Sequence, residues 1–96
     1  MTKQRTMSTR AVHKFALLLG SENRIEMDQT AGILHVGMQG HLMMLWAVVD
    51  TEAPKFTRTF KVFGTGELIS DGWLPIGTCF DGPFVWHVFE LLVRHE

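Results

Sequence analysis

The 96-residue chain holds a single cysteine, Cys79, so no disulfide framework can form within it. No apolar run approaches the roughly 20 residues that cross a bilayer. The opening MTKQRTMSTR has no apolar core of the kind a secretory signal carries. Charge of one sign is also lacking. Nine Lys and Arg stand against ten Asp and Glu, for a net −1, which argues against bulk nucleic acid and anionic membrane as partners. Helix signals are scarce. These absences set the expectation of a reducing, cytoplasmic protein.

What is present is a globular composition. Hydrophobic residues make up 46% and charged residues 20%, enough for one small core and not for two. Residues 1–10 carry Lys3, Arg5 and Arg10 and no acid, and read as a flexible basic tail ahead of a single domain over 11–96. Met7 is an alternative start within that tail.

Beyond the tail, short apolar runs alternate with Gly, Asp, Asn and Pro, the pattern of strands and turns. Strands are expected at Ala11–Leu19, Arg24–Asp28, Ile33–Met38, His41–Val49, Phe56–Phe63, Leu74–Phe80 and Phe84–Val93. Gln39-Gly40 is the expected hairpin turn, which would set Met38 opposite His41 and His35 opposite Met44. Seven short strands imply an all-β fold, a small antiparallel sandwich or partly closed barrel.

Two of these strands are apolar on both faces. In His41–Val49, Leu42, Met44, Trp46 and Val48 lie on one side and Met43, Leu45, Ala47 and Val49 on the other. Phe84–Val93 interrupts its two apolar faces only with His87 and Glu90, which fall on opposite sides. A strand in a small antiparallel domain normally keeps one face wet. The surplus implies a homo-oligomer, with Trp46, Met44, Trp86 and Phe84 as interface candidates.

Catalytic signatures are thin. His13, His35, His41, His87 and His95 make no metal-ligand spacing, so neither a metal nor a cofactor is expected. Ser8, Ser21 and Ser70 lie outside any nucleophile motif, and Cys79 reads as a core filler. Asp50, Glu52, Glu67, Asp71 and Asp81 fall in expected loops or turns. The expectation is a protein that is not an enzyme. The one segment suited to a ligand is Arg58-Thr59-Phe60-Lys61-Val62-Phe63-Gly64-Thr65-Gly66. Arg58 and Lys61 supply charge, Thr59 and Thr65 hydroxyls, Gly64 and Gly66 free amides, and Phe63 a surface for a base to stack on. Arg58 also breaks the apolar side of its strand, which suggests an edge or mouth. A small anionic, nucleotide-like ligand would bind here.

Three blocks carry a resemblance: Leu45-Trp46-Ala47-Val48-Val49-Asp50; Arg58 to Gly66 with Glu67-Leu68-Ile69; and Ile76-Gly77-Thr78 with Phe84-Val85-Trp86-His87-Val88-Phe89-Glu90. Together with Val12-His13-Lys14-Phe15 they resemble a family of small proteins of tailed phages and prophages. Gly40-His41-Leu42 and Glu67-Leu68 depart from that family's usual Pro-Cys and His-Pro. The resemblance implies an accessory phage protein in the cytoplasm of an infected bacterium. Its expected action is binding: capture of a host-defence nucleotide signal by an oligomer or, alternatively, capping of a host or phage protein through an apolar face.

Overall fold

The computed structural model describes residues 8–92, and residues 1–7 of the tail expected over 1–10, Met7 among them, lie outside the described residues. Seven antiparallel strands form two sheets: β1 (Arg10–Leu17), β2 (Asn23–Asp28), β3 (Gly32–Gln39), β4 (Leu42–Asp50), β5 (Lys55–Gly64), β6 (Trp73–Asp81) and β7 (Phe84–Leu91). Sheet A has the order β1-β4-β3 and sheet B the order β2-β5-β7-β6. The sheets make an open sandwich, not a closed barrel. Arg10 already belongs to β1, and Thr9 is tied to the end of β4 by its hydroxyl on Asp50 Oδ1 at 2.7 Å. β1 therefore begins one residue ahead of the expected Ala11.

Strand parity decides the core. Met43, Leu45, Ala47 and Val49 of β4 meet Ile25 and Met27 of β2, Phe60 and Val62 of β5, Val88 of β7 and Cys79 of β6 in one cluster. β2 has only six residues. Inside the sandwich Asn23, Ile25 and Met27 are all buried.

The β3–β4 hairpin turns at Gly40-His41, not Gln39-Gly40. Gln39 pairs with Leu42, Met38 with Met43 and His35 with Trp46. Gly40 has φ +63°, and no other residue type takes positive φ, which is the sign pattern of a II′ turn. The steric freedom of Gly40 moved the turn by one residue. A bulge between Ile33 and His35 then lets Ile33 face the core while His35 faces out. The second hairpin turns at Gly82-Pro83, with Asp81 opposite Phe84.

The sheets touch along β3 and β6, where a Cβ on Gly77 would stand 2.9 Å from Val36 Cγ2. Elsewhere the chain crosses between sheets, and polar side chains secure the crossings. Between β1 and β2, Asn23 Oδ1 accepts from Leu18 N at 2.8 Å and its Nδ2 donates to Leu18 O at 3.0 Å, so one amide stands in for a strand partner. At the other end, buried Asp28 accepts from Asp50 N at 2.8 Å and from the Thr30 hydroxyl at 2.7 Å. Those two bonds hold the Asp28 carboxyl below its ordinary value.

Candidate functional site

The expected ligand segment is β5 and the turn after it, and the pleat divides it. Arg58 points inward with Phe60. Thr59, Lys61 and Phe63 point to the outer face of sheet B. Arg58 Nε and Nη2 donate to the two oxygens of Glu90 at 2.6 and 2.8 Å, and Nη1 donates to Ala31 O at 2.8 Å. Such a bidentate pair uses the guanidinium's fork in full. Arg58 therefore neutralises Glu90 and fastens the β2–β3 crossing, and is not a free anion ligand. Glu90, the acid within an apolar strand, is explained by the same pair.

The glycine turn is also occupied. Glu67 N donates to Gly64 O at 3.1 Å, and Gly64 N donates to Glu67 Oε1 at 3.0 Å. Gly66, at φ +91°, takes the third place of the turn, where an L side chain would be strained. A carboxylate of the chain itself thus holds the amide that a bound anion would need. Phe63 is not a stacking platform either. It is 3% exposed, with Trp73 and Phe89 set edge-on at 5.7 and 5.2 Å and the Lys61 ammonium 5.1 Å above its ring.

One constellation had no signal in the spacing. Thr65 Oγ1 lies 2.8 Å from His87 Nε2, and Thr78 Oγ1 lies 3.1 Å from His87 Nδ1. Three elements contribute one residue each, so only the β5–β7–β6 order reveals it. Nucleophilic triads place a carboxylate behind the imidazole. Here a hydroxyl stands there, with no charge to stabilise an imidazolium, so the arrangement is a polar clasp across three strands.

The four interface candidates separate into two places. Met44 and Trp46 lie on the outer face of sheet A. Trp86 packs against the core, and Phe84 stacks on it at 5.8 Å and 20° at the hairpin end. Trp86 Nε1 is buried without a protein partner. Cys79 is buried in the core, and loss of water pushes its thiol up. Among the described residues, no three His, Cys, Asp or Glu side chains stand close enough to hold a metal ion, and no helix is long and apolar enough to cross a membrane.

The outer face of sheet A carries an apolar stripe. Val12 and Leu42 are each 57% exposed, with Trp46 and Val48 half-buried between them. His35 lies flat over Gly37, which has no side chain to hold it off, and tilts against Trp46 at 5.8 Å. Met44 is buried, yet it stands apart from the core cluster, flanked in register by Ala16 and Gly37.

These features define an all-β sandwich domain with a partly buried Arg58–Glu90 ion pair and exposed apolar side chains on both sheets, Val12 and Leu42 on sheet A and Phe80 and Phe84 on sheet B. Residues 8–96 match the family model described as a domain of unknown function, DUF7352, and the chain belongs to that family. No curated protein and no solved structure matches it.

Proposed function

We propose that this chain acts by binding, not by turnover, as a protein–protein module whose working surface is the outer face of sheet A. The observation that carries this reading is the apolar stripe of Leu42, Trp46 and Val48 with Val12 beside it. Arg10 and Asp50 close one end of the stripe, and the Lys14 ammonium reaches across β4 to Gln39 Oε1 at 2.8 Å, bordering the stripe beside Met44. A contiguous apolar surface of this kind marks an interaction site. The partner it fits is an uncharged apolar face of another protein. The resemblance to phage accessory proteins supports a host or phage protein in that place.

A photo-crosslinking residue at position 42 or 48, expressed in the producing cell, tests this. A discrete adduct should form at those positions and be lost with Trp46→Glu. A crosslinker at Thr57, on the opposite sheet, should give none. Equal labelling from both faces would refute the reading.

Capture of a small anion is the second reading, now resting on Lys61 in place of Arg58. Lys61 has no carboxylate partner among the described residues, and Thr59 shares its face with Arg24 directly opposite. Native mass spectrometry of protein from infected cells should show a retained anion that Lys61→Ala loses. An unchanged ligand load in that variant would end it.

A further inference from the structure

The sandwich has two strand edges on its open flank, β1 and β2, and they are finished differently. On β2 every inward side chain is closed off, with Asn23, Ile25 and Met27 buried. On β1 the inward residues Ala11, His13 and Phe15 stay partly or fully open, beside a cleft of about 120 Å³ lined by His13, Phe15, Met27 and Val49. The other two edges carry the usual protections. β3 is bulged and covered by β6, while β6 is bulged and holds Pro75. β1 has eight residues in unbroken register with β4, without proline or bulge. Such an edge is a template for another strand.

The hydrogen bonding fixes which groups are free. Thr51 N donates to Thr9 O at 2.8 Å, and the β1–β4 register runs on from that pair without a shift. Odd-numbered residues of β1 therefore turn their backbone groups toward β4, and Arg10, Val12, Lys14 and Ala16 turn theirs outward.

We propose that two copies of this chain join antiparallel through the free edge of β1, about a two-fold axis at His13, giving one six-stranded sheet β3-β4-β1-β1-β4-β3. This goes beyond the face described above and does not depend on it. Three registers keep inward residues opposite inward residues near the middle of β1. Centring on Lys14 sets Lys14 against Lys14. Centring on Val12 sets Arg10 against Lys14. Like charges directly opposite are unfavourable. Centring on His13 sets Arg10 opposite Ala16 and Val12 opposite Lys14, with no pair of formal like charges. It also sets Ala11 opposite Phe15, small against large, so each copy covers the half-open phenyl ring of the other. All the outward backbone groups then belong to paired residues. The two outer faces then join across a seam that carries Arg10, Val12, Lys14 and Ala16 of both copies.

Sedimentation of the pure protein at micromolar concentration should show a dimer. His13→Cys should yield a disulfide-linked dimer under mild oxidation, since the axis sets the two positions side by side and Cys79 is buried. Thr57→Cys should not. Val12→Pro removes a donor from the free edge without touching a β1–β4 bond, and should yield a folded monomer. Val12→Lys creates two Lys–Lys pairs and should raise the dimer Kd about tenfold, with Lys14→Glu in the same chain restoring it. If Val12→Pro fails to fold, Val12→Lys decides. A wild-type monomer, or a dimer indifferent to Val12→Lys, would overturn the proposal. The crosslinking at positions 42 and 48 reports on the sheet face separately, so the two readings fail independently.

Discussion

The two sheets solve the same problem in opposite ways. β4 and β7 are both apolar on both faces, and sequence alone treats them alike. In sheet B the middle of the second face closes on itself, while Phe80 at its end stays 73% exposed: Phe63 sinks among Trp73, Phe89 and the Lys61 stem, and His87 is held between two threonines. In sheet A the second face stays half-open around Trp46 and Val48, with the imidazole of His35 and the Lys14–Gln39 hydrogen bond across it. A two-faced strand is therefore not by itself a sign of an interface. What matters is whether the strands beside it bring large side chains to the same face. β5 and β6 bring Phe63 and Trp73 to β7. β1 and β3 bring Ala16 and Gly37 to β4.

The largest test of this contrast is Phe63→Ala. It should lower unfolding stability by about 3 kcal/mol, as for other buried aromatics. Trp46→Ala should cost less than half as much. Denaturant midpoints measure both, and equal losses would mean that the outer face of sheet A is as closed as that of sheet B.

Arg58→Ala comes next. It leaves Glu90 facing inward without its partner and should cost about 2–3 kcal/mol, between the ranges for buried and surface pairs. In a double-mutant cycle, Arg58→Met with Glu90→Leu should cost less than the two changes summed, which separates a structural pair from a ligand site.

Acid should act at the crossing end of the sandwich. The Asp28 carboxyl sits below its ordinary 3.8 because Asp50 N and the Thr30 hydroxyl favour the charged form. The unfolded chain then takes up the proton at higher pH than the folded one. Stability from this group is present above about pH 4 and is lost as pH falls through the lower folded value. Asp28→Asn should flatten that acid limb in denaturation curves taken between about pH 6 and pH 3. An unchanged slope would place the acid sensitivity elsewhere.

The smallest effect belongs to Leu42→Lys. Being more than half exposed, Leu42 should tolerate the change within about 0.5 kcal/mol, while the photo-adduct from position 48 is lost.

Much of the fold was legible because a strand declares itself through alternation and punctuation. All seven strands lie within two residues of their expected limits wherever the structure describes them. Less of the candidate site was legible. Arg58 and Lys61 were expected to serve one anion, and parity already set them on opposite faces. What parity could not show is that Glu90, 32 residues on, lies beside Arg58 once β5 pairs with β7. Thr65, Thr78 and His87 were invisible as a group for the same reason. Asp28 gives no signal in the sequence because a carboxylate at a strand end reads as solvated until Asp50 N is brought against it.

By itself, the order of residues determined the all-β class, the strand limits and which side chains share a face, because these depend on a two-residue period and on glycine and proline within a few positions. Strand order, the partner of Arg58 and the difference between the two outer faces were decided only in three dimensions. Each depends on which distant strands become neighbours, and pairing energy is settled by burial across the whole sandwich, not by any local stretch of chain.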